Sequence, residues 1–176
     1  MTGTHEYFMG MALDEARQSL AAGEFPVGCV IVSQTEVVAR GRRVNSRGPS
    51  ANELDHAEIM ALRRLLQDHP AIDRQAVAVY STMEPCLMCY ATLLLNGVRS
   101  FVYGYEDVMG GGTGLALARL APLYREMQVT MVAAVRRDES LRLFQDFFSE
   151  PANRYWQNSL LAQYTMGPHP GKELMK

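Results

Sequence analysis

At 176 residues, with 48% hydrophobic and 20% charged side chains, the chain has the length and composition of one folded domain rather than of a disordered or fibrous protein. A formal charge of -2 gives no global attraction to nucleic acid and three cysteines are too few for a disulfide scaffold, so a role for either rests on local arrangement. No apolar run approaches the about 18–20 residues of a membrane span, and the start, MTGTHEYFMGMALDEARQ, carries acids where a secretory leader has basic and apolar blocks; the expected address is cytoplasmic, with no membrane partner.

Residues 4–22 carry Phe8, Ala12, Ala16 and Leu20 at helical spacing, with Thr4 as a cap and Gly23 as a stop, and predict an amphipathic helix. Residues 26–32, β-branched and bounded by turn formers, predict a buried strand, and residues 36–40 its hairpin partner. A loop rich in Arg, Gly, Asn, Ser and Pro covers 41–52. Ile59, Leu62, Leu65 and Leu66 mark a helix over 56–69 that Pro70 ends. Residues 76–80 predict a strand, 86–95 a helix closed by Asn96 and Gly97, and 98–103 another strand. Beyond the glycine run at 110–114 come a predicted helix over 115–120, a strand over 129–135, a helix over 141–148 with Leu141, Phe144, Phe147 and Phe148 inward, and a last helix opened by Pro151. Residues 167–176 are expected to form a loose tail. The order predicts the α/β class: a single three-layer α/β/α domain over 1–166 around a central mixed five-stranded sheet.

Two motifs at strand-to-helix turns carry chemistry: His56-Ala57-Glu58 and Pro85-Cys86-Leu87-Met88-Cys89. Cysteines three apart on a helix point the same way, and a helix N-terminus favours thiolates, so Cys86 and Cys89 suit a soft tetrahedral cation, for which zinc is the natural guess. His56 supplies a third ligand and leaves a position open for water, the arrangement of a catalytic zinc. Glu58 is the proposed acid and base. Residues two apart on a helix point about 200° from one another, so His56 and Glu58 converge only within the helix's first turn. The rival readings are His56 as a helix cap with the cysteines as core packing, a redox Cys-x-x-Cys, and a closed binding module whose fourth zinc ligand is Cys29, Asp55 or His69; the last two leave Glu58 without a task.

His-x-Glu followed by Pro-Cys-x-x-Cys resembles the signature of zinc-dependent nucleobase deaminases. With HEYFM, GEFPVGCVIV, HAEIMAL, EPCLMC and FVYGYED, residues 4–150 resemble the cytidine deaminase superfamily, and within it bacterial tRNA adenosine deaminases. The resemblance implies a cytidine deaminase-like fold, one zinc ion per chain on His56, Cys86 and Cys89, Glu58 as proton shuttle, and a homodimer. It further implies that Asn45, Val27 and Met83 line or hold the base and that Asp107 lies near the target nucleotide.

The substrate is less uniform with that family. Glu106, Asp107 and Met109 stand where tRNA adenosine deaminases present arginine, aspartate and then lysine, the C-terminal segment lacks their lysines and arginines, and Glu53-Leu54-Asp55 replaces the Asp-Pro-Thr-Ala of purine-specific relatives. Missing phosphate contacts weaken RNA binding steeply. The cluster Arg40, Arg42, Arg43 and Arg47 is a candidate phosphate site, and Tyr105, Tyr155 and Trp156 are candidates for stacking on a base. The expected reaction is hydrolytic removal of an exocyclic amine from a purine or pyrimidine. The favoured partner is a free nucleobase, nucleoside or nucleotide, with adenosine in a tRNA anticodon as the alternative.

Overall fold

The computed structural model describes residues 2–168; positions 169–176 of the expected tail lie outside the described residues. The chain runs α1 (Thr2–Ala21), β1 (Gly28–Ser33), β2 (Glu36–Arg42), α2 (Ala57–Asp68), β3 (Val77–Met83), α3 (Leu87–Leu95), β4 (Ser100–Tyr105), a 3-10 turn (Leu117–Arg119), α4 (Pro122–Arg125), β5 (Thr130–Val132), α5 (Arg137–Ser149) and α6 (Leu160–Met166). The strands form one sheet in the order β2-β1-β3-β4-β5. β1 pairs antiparallel with β2 and β3, while β3, β4 and β5 are mutually parallel, which makes the sheet mixed.

Period-two alternation sorts the strand residues between two apolar layers. Val30, Val32, Tyr80 and Val102 face a layer with Phe8, Met9, Ala12, Leu13 and Ala16 of α1 and Leu143 of α5. Cys29, Ile31, Val79, Met83 and Phe101 face the other layer with Ala57, Ala61, Leu62 and Leu65 of α2 and Tyr90, Leu93 and Leu94 of α3. Gly41 on β2 allows α2 to sit close: a Cβ there would lie 2.1 Å from the Ala57 carbonyl oxygen and 2.4 Å from the Ala61 nitrogen. That contact seats the start of α2, and with it the His-x-Glu motif, against the sheet.

Three expectations are corrected. The helix predicted over 115–120 is a single 3-10 turn followed by α4, which Pro122 starts at its first position. The fifth strand shrinks to Thr130–Val132 because Ala134 and Arg136 turn into the left-handed region, with φ of 61° and 52°, after which α5 begins earlier than predicted. Pro151 opens no helix: residues 150–158 are turns, with Trp156 and Asn158 at φ of 55° and 61°, and the last helix starts only at Leu160, where the Ser159 hydroxyl accepts from the Ala162 amide at 3.1 Å.

Candidate metal and deaminase site

Both motifs open their helices. His56 is the residue before α2 and Cys86 the residue before α3; each has extended backbone, with ψ of 152° and 168°, and neither side chain caps its helix. The cap reading of His56 is thereby excluded, and both side chains are turned toward each other. His56 Nδ1 lies 3.6 Å from Cys86 Sγ and 3.5 Å from Cys89 Sγ. Zinc bonds of about 2.3 Å to sulfur and about 2.0 Å to nitrogen, arranged tetrahedrally, set nitrogen–sulfur edges of about 3.5 Å, so the donor set fits that ion. Among the described residues, this trio is the group whose ligand atoms all lie within 4.8 Å of one another; Cys29, Asp55 and His69 do not join it.

Hydrogen bonds from Cys89 and, against burial, from His56 bring the Cys86 thiol down to about 4, a thiolate at neutral pH and the form a soft cation takes. Burial opposes charge on His56, yet the hydrogen bond to Cys86 and the charge of Glu58 outweigh it and lift the imidazole to about 9. Donation to Cys86, together with burial, pushes the Cys89 thiol up. Glu58 is buried in the first turn of α2; its Oε1 accepts from the Ser81 hydroxyl at 2.9 Å and its Oε2 lies 3.6 Å from Cys89 Sγ. Burial, and then the Cys86 charge, push this carboxyl above its usual range.

A cavity of about 210 Å³ opens on these groups. His56, Glu58 and Cys86 form one wall, Phe25, Val27 and Met83 an apolar floor, and Glu84, Asp107, Met109 and Gly110 a third side. Arg43, Glu53, Tyr155, Trp156 and Leu161 complete it. The glycine run presses on the cysteine helix: the Leu87 amide donates to the Gly110 carbonyl at 3.2 Å, the Gly112 amide to Pro85 at 2.9 Å, and a Cβ on Gly112 would come within 2.8 Å of Leu87 Cα. Glu84 fastens the same loop by accepting from the Asp107 and Thr113 amides at 3.1 and 3.2 Å.

The sequence profile of the cytidine and deoxycytidylate deaminase zinc-binding region matches residues 2–105. The chain belongs to this deaminase family. Several similar proteins are named for tRNA. The tRNA-specific adenosine deaminase of Streptococcus pyogenes serotype M18 is 30% identical over 148 residues, which cover 84% of this chain and 92% of that protein. The tRNA-specific adenosine deaminase subunit tad2 of Schizosaccharomyces pombe is 37% identical over 110 residues, 62% of this chain but only 28% of that longer protein. A structure solved in a study of A-to-I editing by tRNA:A34 deaminases at the wobble position of transfer RNA superposes with a TM-score of 0.65 at 27% identity, covering 78% of this chain and 98% of that one. The three-layer mixed-sheet architecture is therefore that of the cytidine deaminase-like enzymes.

Within this deaminase the expected residues fall unevenly. His56, Glu58, Cys86 and Cys89 converge, and Val27, Met83 and Asp107 reach the cavity wall. Asn45 does not line it: at φ 55°, a conformation asparagine tolerates, its amide donates to Asp55 at 2.7 Å and braces the loop. Arg43, two residues earlier, lines the cavity instead. The arginine cluster is dispersed: Arg40 and Arg42 face Glu15 at 3.9 and 3.7 Å, Arg43 is buried, and Arg47 donates to the Ala22 carbonyl at 2.7 Å. Tyr105 is buried with its hydroxyl 3.1 Å from Thr165 Oγ1 and cannot stack on a base, whereas Tyr155 and Trp156 are at the cavity. Phe25, Glu53, Glu84 and Leu161 were not legible as site residues, although a glutamate directly before Pro85 and another three residues before His56 lay in plain view.

Proposed function

We propose that this chain is a zinc-dependent hydrolytic deaminase that converts adenosine to inosine in tRNA, with one zinc ion per chain on His56, Cys86 and Cys89. The observation that carries the deaminase reading is the buried Glu58 carboxyl set against the clustered His/Cys/Cys donor atoms beside a small, mostly apolar cavity. The expectation of a free base, nucleoside or nucleotide gives way to tRNA, because relatives that align over most of this chain are named for tRNA. At about 210 Å³ the cavity lies below the about 300–1,000 Å³ of sites that enclose whole drug-sized ligands, and suits a single base, the part of a longer strand that would be turned out into it. A second depression of about 920 Å³, which carries Arg47 and Arg154, shares Tyr155 with the first and offers room for the rest of such a strand.

Bound at the trio, zinc supplies the polarisation that lets water act as a nucleophile near neutral pH. Glu58, held at Oε1 by Ser81, takes a proton from the attacking water and delivers it to the ring nitrogen beside the reacting carbon. Once the carbon–oxygen bond at C6 has formed, Glu58 takes the second proton, that of the new C6 hydroxyl, and passes it to the exocyclic nitrogen; the bond from C6 to that nitrogen breaks as the C6 carbonyl forms, and ammonia leaves. Val27 and Met83 exclude water from the ring's edge, and Trp156, 42% exposed at the cavity, presents a face on which a base can stack. The homodimer belongs to the same proposal; Leu87 and Leu95 on the outer face of α3 are exposed apolar surface that a second copy would cover. No helix among the described residues is long and apolar enough to cross a membrane.

The test is ammonia release by zinc-loaded protein from an anticodon stem-loop, free adenosine, guanine and cytidine, with sedimentation for the dimer. Turnover of the stem-loop alone or in large excess is expected; turnover of a free base or nucleoside without the stem-loop would overturn the tRNA reading and leave the deaminase reading standing.

A further inference from the structure

Glu53 lies outside the two motifs, yet its carboxylate joins His56, Arg43 and the distant Tyr155. Its Oε2 lies 3.2 Å from His56 Nε2, the ring nitrogen turned away from the cysteines. The same oxygen accepts from Arg43 at 3.2 Å, and the Tyr155 hydroxyl reaches Oε2 at 2.9 Å and Oε1 at 3.2 Å. None of these partners is casual. The Arg43 side chain is only 2% exposed; the nitrogen that donates to Glu53 also donates to the Asn52 carbonyl at 2.6 Å, its second terminal nitrogen donates to the Val44 carbonyl at 2.8 Å, and its guanidinium sits 5.9 Å from the centre of the Tyr155 ring. Tyr155 in turn is packed on Phe25, with ring centres 5.3 Å apart. A buried cation and a packed phenol therefore hold a largely exposed carboxylate in one place.

A histidine that ligates a metal through Nδ1 must carry its proton on Nε2, and a carboxylate accepting that proton sets both tautomer and ring orientation. We propose that Glu53 is the positioning residue for His56, and that Arg43 and Tyr155 act through it, so that the turns at 150–158 are coupled to the metal group and not merely laid over the cavity. The inference rests on the zinc reading above and adds a residue the motifs do not contain. It also explains why Glu53 stands in the loop before His56 where the purine-specific pattern has other residues: its register three positions ahead of His56 reaches the far side of the ring.

The test reads the metal and not turnover. Zinc-loaded wild type, Glu53→Gln and Tyr155→Phe are mixed with excess colorimetric chelator and the release of zinc is timed, while cobalt-substituted samples report the ligand field by visible absorption. Loss of a carboxylate behind a ligating histidine commonly lowers metal affinity about 10–100-fold, so Glu53→Gln is expected to release zinc at least about tenfold faster with an altered cobalt spectrum. Tyr155→Phe, which leaves the carboxylate but frees it, should move both in the same direction by less. Circular dichroism of the zinc-free proteins separates a folding defect, and if Glu53→Gln does not fold, Tyr155→Phe carries the test. Wild-type release rates and spectra in the folded variants would overturn the coupling while leaving the zinc reading intact; a wild-type protein that takes up no zinc would overturn both.

Discussion

The cavity has two walls built on opposite terms. One consists of the starts of α2 and α3: His56, Glu58 and Cys86 stand at fixed offsets from the first residue of their helix, and the sheet under them sets their separation. The other consists of Tyr155, Trp156 and Leu161, from a stretch that is mostly turns, carries two non-glycine residues at positive φ, and is held by Phe25, Glu53 and Arg43, all more than a hundred positions earlier. In the proposed reading the first wall carries the chemistry, and each of its motifs is placed locally at the start of one helix, whereas the second shapes what can enter and is placed by long-range contacts.

Substitutions at each wall can break that division. The largest effect is expected at Glu58: Glu58→Gln should lower ammonia release by about 10²–10⁴-fold, the usual worth of a general acid–base, with metal content unchanged by elemental analysis. A Gln variant that turns over near normally would remove Glu58 from the chemistry. Next is Gly41→Val, which forces a side chain into the Ala57 carbonyl and the Ala61 amide; overpacking of this kind costs about 1–3 kcal/mol in chemical denaturation, and turnover should fall with it because the start of α2 is displaced. Unchanged stability would mean that α2 does not need its close seat.

At the second wall, Trp156→Ala should weaken substrate binding by about 1–3 kcal/mol, the range for a base stacked on an aromatic side chain, seen in KM with little change in kcat. Trp156 is the chain's one tryptophan, so quenching of intrinsic fluorescence by a stem-loop reads the contact directly. Absence of quenching in a protein that binds the stem-loop would leave Trp156 a bystander. The smallest effect concerns α6, tied down where Tyr164 donates to Glu106 at 2.7 Å. Burial alone would raise the Glu106 carboxyl, but hydrogen bonds from Arg137 and Tyr164 hold it below its usual range. A folded-state value below the unfolded one stabilises the fold above the unfolded value of about 4.3 and loses that contribution as pH falls through the folded value. Thermal midpoints of wild type and Glu106→Gln should therefore differ at pH 7 and converge as acid is added; a constant gap would contradict the pairing.

Glu106 shows a second use for the residue after β4. Against the family pattern, a glutamate in place of arginine there reads as a lost phosphate contact. In the structure Glu106 is the acceptor for Arg137 and Tyr164, so the exchange is part of how α5 and α6 are docked. Asn45, which matches the asparagine that the resemblance places on the base or ribose, donates to Asp55 in this structure, while Arg43 lines the cavity.

The sequence by itself determined the layered order of strands and helices and the placing of His56 and Glu58 at the start of one helix and of Cys86 and Cys89 at the start of another, because each depends on periodicity or on spacing within a single helix turn; that the two pairs meet rests on the sheet between them. Only the tertiary structure decided that Pro151 starts no helix, that the arginine cluster is scattered, that Tyr105 is core while Tyr155 and Trp156 reach the cavity, and that Glu53 stands behind His56. Those outcomes depend on pairings between residues far apart in the chain, such as Tyr155 with Glu53 and Arg137 with Glu106, and a local pattern carries no record of which distant partner a side chain will meet.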